Sequence, residues 1–308
     1  MIVKIAHYNF FLLMFLCLFL ISCDDLLNYS DLEYSNDSEL NSEKGFLKEY
    51  YEMLEKRKLS FGLLRQDGGG DDTPFDTEDI ITSFQQLAFY TEYNVSEDKL
   101  IPSSSVVNLA KWKSEINIST EFGSSVSRKE KENDLLNIFA VADILSKATG
   151  HKINLLGQDP NMHIIVGNEE ELPELVNNLN ENLSNFDPKI FPIIDNLPKD
   201  IHCIALTALR SKSNPEIISA LVIIRNELPE LLRKACFHEE MAQSLGLSND
   251  SHSARPSIFN DDDEFATLTE FDKILLEILY DERLKTGMTL HNSYEILEIV
   301  ANEIEASI

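Results

Sequence analysis

Positive charge is scarce in this chain: 26 lysines and arginines face 53 aspartates and glutamates, a formal net charge of −27 over 308 residues. A surface that acidic repels phosphate backbones and anionic headgroups, which argues against nucleic acid and anionic lipid as ligands. It suits the solubility of an exposed exported protein and names no substrate. A phosphate loop is also missing. The run Gly68-Gly69-Gly70-Asp71-Asp72 lacks the lysine and the spacing of one, and reads as a turn. Apolar content is not lacking: 43% hydrophobic and 9% aromatic residues exclude global disorder. The length allows one large domain or two small ones.

A run long enough to span a bilayer is missing as well. The longest apolar stretch, Tyr8 to Ile21, has fourteen residues and follows a short segment bearing Lys4. That length suits the core of a signal peptide better than a membrane span. Leu20-Ile21-Ser22-Cys23 comes next and resembles the lipobox of lipoproteins, so residues 1–22 are expected to be removed and Cys23 to carry lipid. The competing reading is an uncleaved anchor helix with an incidental cysteine. Either way the expected partner is a membrane. The resemblance of Asp24-Asp25 to a retention signal implies the periplasmic face of the inner membrane, if the source is Gram-negative.

Four cysteines are few, and two of them are accounted for. Cys17 leaves with the signal and Cys23 is the lipidation site, which leaves Cys203 and Cys236 in the mature body. In an oxidising compartment they are a disulfide candidate, with two small buried hydrophobes as the alternative.

Residues 23–45 are rich in Ser, Asn and acid without a sustained period, and read as a flexible acidic tether. Residues 46–308 read as a single domain. Helical spacing is expected over Phe46–Lys56 and Ile80–Tyr90. It is also expected over Lys129–Thr149, with Leu135, Ile138, Phe139, Ala142 and Leu145 on one stripe and Gly150 closing it. Strands are expected over Leu109–Phe122, Ile153–Leu156 and Met162–Val166, and a hairpin over Ile201–Leu209 and Ile217–Ile224. Pro229 opens a helix running to Gly246, and Leu268–Leu279 and Tyr294–Ala306 are the last helices. The fold class is α+β, a mixed sheet before a central helix and a helical C-terminal part.

The central helix, PELLRKACFHEEMAQSLG, puts Glu239 in the middle of its apolar stripe and Gln243 one turn further along. A carboxylate and an amide there are costly unless they bond to something. They are either a satisfied polar pair or a site. In a zinc-peptidase helix two ligands sit at i and i+4, with the general-base glutamate directly after the first, and a longer pattern adds a glycine and a third ligand. Glu239, Gln243, Gly246 and Asn249 fall at those spacings, and Glu240 takes the general-base position. The register starting at His238-Glu239 fails because residue 242 is Ala242 and no second histidine is available. His238 then reads as a flanking residue near the cleft mouth.

Five stretches carry a resemblance: GLLRQDGGGDDTPFD from Gly62, SFQQLAFYTEY from Ser83, ACFHEEMAQSLGLSND from Ala235, RPSIFNDDDEFATLTEFDKILLEILYDERL from Arg255 and TGMTL from Thr286. Together they resemble the bacterial exported family known as domain of unknown function 2927, itself similar to metzincin-type metallopeptidases, over most of Phe61 to Leu290. The resemblance implies a metzincin-like (zincin) fold: a hairpin edge strand, an active-site-type helix, a glycine turn, then a methionine-bearing turn beneath the site, for which Met288 is the candidate.

Oxygen donors replace every histidine of that pattern. Glutamate is a respectable zinc ligand and neutral amides are poor ones, while calcium or magnesium takes oxygens but wants more of them. Asp250, Asp261, Asp262 and Asp263 are available if the loop folds back. Two functions stay open. One is a metal-dependent peptide hydrolase of the envelope, in which Glu239, Gln243 and Asn249 or Asp250 hold zinc or another divalent cation and Glu240 deprotonates its water. The other is a non-catalytic lipoprotein that binds extended peptide or scaffolds an envelope protein on the same cleft.

Overall fold

The computed structural model describes residues 42–96, 99–155, 157–179 and 182–306. The signal segment, Cys23 and the tether up to residue 41 lie outside the described residues. The body is a mixed α+β fold of a central sheet with helices on both faces. Its elements are α1 (Ser42–Ser60), α2 (Thr77–Ala88), β1 (Tyr90–Ser96), β2 (Lys99–Val106), β3 (Lys111–Trp112), β4 (Ile116–Phe122) and α3 (Arg128–Thr149). They continue with β5 (Ile153–Asn154), β6 (Met162–Gly167), α4 (Leu172–Asn178), α5 (Ile190–Ile194), β7 (Cys203–Ser211), β8 (Asn214–Arg225), α6 (Glu230–Gln243), α7 (Glu270–Tyr280) and α8 (Leu290–Glu305). No described helix is long and apolar enough to cross a membrane.

The sheet runs β5–β4–β6–β8, all parallel, and β7 closes it as an antiparallel edge. β7 covers one edge of β8 from Ile224 back to Asn214, so β6 and the short β3 share the other edge. Period-2 alternation sorts the side chains. Met162, Ile164 and Val166 of β6, with Ala220, Val222 and Ile224 of β8, face the main core of α3, α6 and α7. Ile165, Leu221 and Ile223 face the opposite way, onto a smaller core of α4 and α5.

Local signals explain the helix ends. Ser127 and Glu130 form a reciprocal capping box at α3, Asp76 with Asp79 at α2, and Thr269 with Asp272 at α7. Gly150 ends α3 in the left-handed region at φ 65°. α1 begins at Ser42, inside the segment expected to be tether.

Two expectations fail on the packing. On α3, Leu135 and Phe139 are exposed, and the buried set is Asp134, Ile138, Val141, Ala142 and Leu145. The contact face is rotated because Asp134 turns inward to meet Arg233 of α6, 3.3 Å away. The second is the hairpin β1–β2, expected as the end of a helix and an unassigned segment. Its alternating YTEYNVS is a strand pattern that the preceding helical spacing obscures.

Candidate functional site

α6 is fixed at both ends. Near its start Arg233 donates to Asn226 and pairs with Asp134 on α3. A disulfide joins Cys236 to Cys203 on β7, with Cα atoms 5.9 Å apart. At its end the Trp112 indole N–H donates to the Ser244 carbonyl at 2.8 Å, and Gly246 turns the chain at φ 125°. A Cβ at Gly246 would lie 2.2 Å from the Ala110 carbonyl oxygen, so the turn needs glycine for space as well as for its dihedral.

Because β7, β8 and α3 pack against α6 and the segment at Leu268 meets His238, it is buried on nearly every side, and an amphipathic stripe does not describe it. Glu239, expected at the centre of the apolar face, is half-buried, whereas Glu240 is 5% exposed. Their carboxylate oxygens come within 4.8 Å of each other and of the Cys203 sulfur. The Cys203 sulfur is spent in the disulfide and is not a ligand. His238 is not at a cleft mouth. It is buried, its Nδ1 accepts the Leu268 N–H at 3.2 Å, and burial holds its pKa down at about 4, so the ring is neutral at pH 7.

The turn at Gly246 returns the chain toward the helix. Gln243 Nε2 donates to Asp250 Oδ1 at 2.7 Å, and Asn249 Nδ2 donates to the Gln86 carbonyl on α2 at 2.9 Å. Met288 lies in a turn whose backbone pairs with Leu109, the residue before Ala110, so it braces the strand segment that Gly246 touches. Its sulfur faces the Lys285 N–H at 3.3 Å.

The acidic loop folds back unevenly. Asp263 bonds with Lys58 of α1, and the Asp262 side chain is largely solvated. Asp261 meets His252 at 3.1 Å and lines a cavity of about 580 Å3 with Glu92, Tyr93, Asn249 and Asp250. A narrower cleft adjoins it between the β1–β2 hairpin and β7, lined by Glu92, Tyr93, Leu100, Ile204, Leu206 and Gln243. Sequence reasoning missed Glu92 and reached Asp261 only as one member of an acidic run. Alternation in β1 marks Glu92 as a strand residue, but nothing local ties it to α6.

The electrostatics follow from this crowding. Burial raises the pKa of Glu239, Glu240 and Asp250 well above the ordinary carboxylate value. Neighbouring charge adds to it: Glu240, Glu92 and Asp261 act on Glu239, and Glu92 and Asp250 act on Glu240. Burial raises Glu92 as well. Lys58 opposes the shift at Glu239, and the Ala205 backbone of β7 opposes it at Glu240.

The family described as "Protein of unknown function (DUF2927)" matches residues 77–299. The chain belongs to this family. The match spans the hairpin, the sheet, α6 and most of the helical C-terminal part, and so includes every residue of the site. No curated protein and no solved structure matches the chain.

The residues do not fit zinc. Zinc favours imidazole and thiolate, and here the nearby sulfur is oxidised while both amides are engaged with protein partners. What converges is carboxylate oxygen.

Proposed function

We propose that this protein is an exported lipoprotein, held to a membrane by lipid on Cys23, whose body is a metzincin-like scaffold that binds extended peptide without hydrolysing it. The order of parts supports the scaffold reading. An antiparallel edge strand is followed by its hairpin partner, a buried helix, a glycine turn and a methionine-bearing turn. Loss of hydrolysis follows from the chemistry: residues 239, 243 and 249 offer no imidazole to hold zinc, so nothing at the site would activate a water for attack.

The observation that carries the binding reading is the edge of β7. β7 pairs with β8 along one edge, and among the described residues no strand pairs with the other. That edge borders the cleft under the β1–β2 hairpin. An extended peptide adding there gains main-chain hydrogen bonds, and the acidic and apolar lining favours basic and aliphatic side chains.

The test uses the mature lipidated protein in detergent with EDTA present. Fluorescein-labelled extended peptides rich in Lys and Leu should raise their anisotropy saturably, and Tyr93→Ala should weaken them. Acidic counterparts should not bind, and mass spectrometry should recover the peptides intact. Equal behaviour of basic and acidic peptides, or cleavage, would overturn the reading. The anchor is tested apart: Cys23→Ser should abolish palmitate labelling, and continued labelling refutes the lipoprotein assignment.

A further inference from the structure

We propose that the outer face of α1 is a lipid-docking surface: Phe46, Tyr50, Met53 and Arg57, with Phe61 just beyond the helix end, lie in the interface of the bilayer that carries the anchor. The proposal rests on the lipid at Cys23 and is independent of the peptide-binding cleft.

α1 carries apolar residues on two sides. Leu47 and Tyr51 are buried in the main core. At 100° per residue, Phe46, Tyr50, Met53 and Arg57 all fall within about 40° of the Phe46 direction, on the side turned away from that core. Phe46 is 52% exposed and Met53 54%, while Phe61, at 71%, is the most exposed large apolar side chain among the described residues. Single exposed apolar residues are ordinary, whereas an aligned aromatic and aliphatic row marks a surface that meets something. The helix is tied to the body, so docking one docks the other. Tyr51 Oη donates to the Lys199 carbonyl at 2.8 Å, the Glu55 carboxylate accepts the Leu232 N–H of α6 at 3.0 Å, and Lys58 pairs with Asp263.

Charge and chain position select a lipid surface as the occupant. The chain as a whole has 53 acids to 26 bases, a balance that argues against anionic lipid, and this face is the local exception. Lys56 and Arg57 are exposed beside the row, and Lys199 Nζ stands 5.3 Å from the Tyr50 ring and 6.0 Å from the Phe46 ring. Against these three bases stand Glu49 on the helix and Asp200 next to Lys199. An anionic bilayer therefore repels the acidic remainder of the body and spares this side. Lysine and arginine stems lie along apolar surface with their heads among the headgroups, and Phe, Tyr and Met suit the depth just below. α1 is also the first described element after the anchor. Residues 24–41 separate Cys23 from Ser42, a stretch that spans at most about 60 Å. Within that radius tethering makes a weak interfacial contact effective, because the helix does not diffuse away between encounters. Docking on this face gives the body one orientation and presents the β7 edge at a fixed attitude to the membrane.

The experiment places one environment-sensitive fluorophore on the mature lipidated protein in vesicles of phosphatidylethanolamine and phosphatidylglycerol. With Cys23 lipidated and Cys203 bonded to Cys236, the thiol of Met53→Cys is the one that takes the label. Leu136→Cys is the control, an apolar position on α3 that is 68% exposed. A nitroxide on the lipid acyl chains should quench the Met53 label, with a blue shift of its emission, and leave the Leu136 label bright. Phe61→Cys takes the place of Met53→Cys if that variant fails to fold by circular dichroism. Adding Phe46→Asp with Arg57→Glu should abolish the quenching in either labelled background. Equal quenching at Met53 and Leu136, or quenching that survives Phe46→Asp with Arg57→Glu, overturns the proposal. So does a blue shift without nitroxide quenching, which would put a protein on this face instead. Palmitate is measured on the same samples. Palmitate-bearing protein without quenching at α1 refutes the docking alone, and protein without palmitate refutes the anchor and the docking with it.

Discussion

Replacing Gly246 with alanine should be among the most damaging single-methyl changes in the body, and its cost can be worked from two facts. The residue sits at φ 125°, outside the region that side-chain-bearing residues adopt, and an added Cβ would lie 2.2 Å from the Ala110 oxygen and 3.3 Å from Leu279 Cδ2. The dihedral strain costs about 1–3 kcal/mol. Forcing the strand segment at Ala110 to retreat costs about 1–3 kcal/mol more, because that segment is backbone and not the end of a flexible side chain. A total near 4 kcal/mol lowers the melting temperature of a domain of this size by roughly 10 °C. Since Gly246 aims the chain toward Asn249 and Asp250, the variant should also disturb the Gln243–Asp250 bond. The assay is thermal unfolding by circular dichroism, with Gly45→Ala as control. Gly45 lies in α1, where an added methyl would have nothing within 4 Å, so alanine there should be neutral or slightly stabilising. A fall of less than about 2 °C for Gly246→Ala would refute the steric argument.

Three further outcomes are expected. Breaking the Cys203–Cys236 disulfide, which closes a span of 33 residues, should cost about 3–4 kcal/mol by loop entropy, read as a lower urea midpoint under reductant; an unchanged midpoint with two titratable thiols would contradict it. Burial raises Asp272 from 3.8 to about 6 in the fold despite donors from Ser257, Ile258 and Thr269. A raised carboxylate binds its proton more tightly when folded, so its contribution is greatest below about pH 4 and is lost as pH rises through 6, about 3 kcal/mol in all. The stability difference between wild type and Asp272→Asn should therefore shift by that amount between pH 4 and 7, and a difference flat with pH would sink the assignment. Lys111, buried, has its pKa lowered to about 8 and donates to the Leu279 and Asp281 carbonyls at the end of α7. Lys111→Met should leave both carbonyls unpaired and cost about 1–3 kcal/mol in urea unfolding, and no measurable loss would show that these bonds contribute nothing net.

What was legible in the sequence is what local chemistry encodes. Ser127-x-x-Glu130 announces the start of α3, and Gly150 its end. The near-continuous apolar run of Ile217–Ile224 announces a strand buried on both faces, and Pro229 a helix start. The helical register also placed Glu239, Gln243 and Gly246 along one line of α6, because 100° per residue is a local rule. Gly246 then had to be a turn, and it is. The imidazoles that a zinc site requires are missing from positions 239, 243 and 249, as the sequence itself shows.

Tertiary structure decided which carboxylate is buried and which charges share a site. From the helix alone Glu239 is central and Glu240 peripheral, yet the sheet and α3 enclose α6 so fully that Glu240 is the deeper of the two. The same enclosure turns Asp134 inward to Arg233, leaving Leu135 and Phe139 in solvent. Glu92 lies more than a hundred residues before Asp250 and Asp261 about ten after it, and the three line one cavity because a hairpin and a returning loop deliver them there. Periodicity fixes a residue's direction around its own axis, whereas the approach of one element to another depends on the packing of the whole chain, and no local pattern records it.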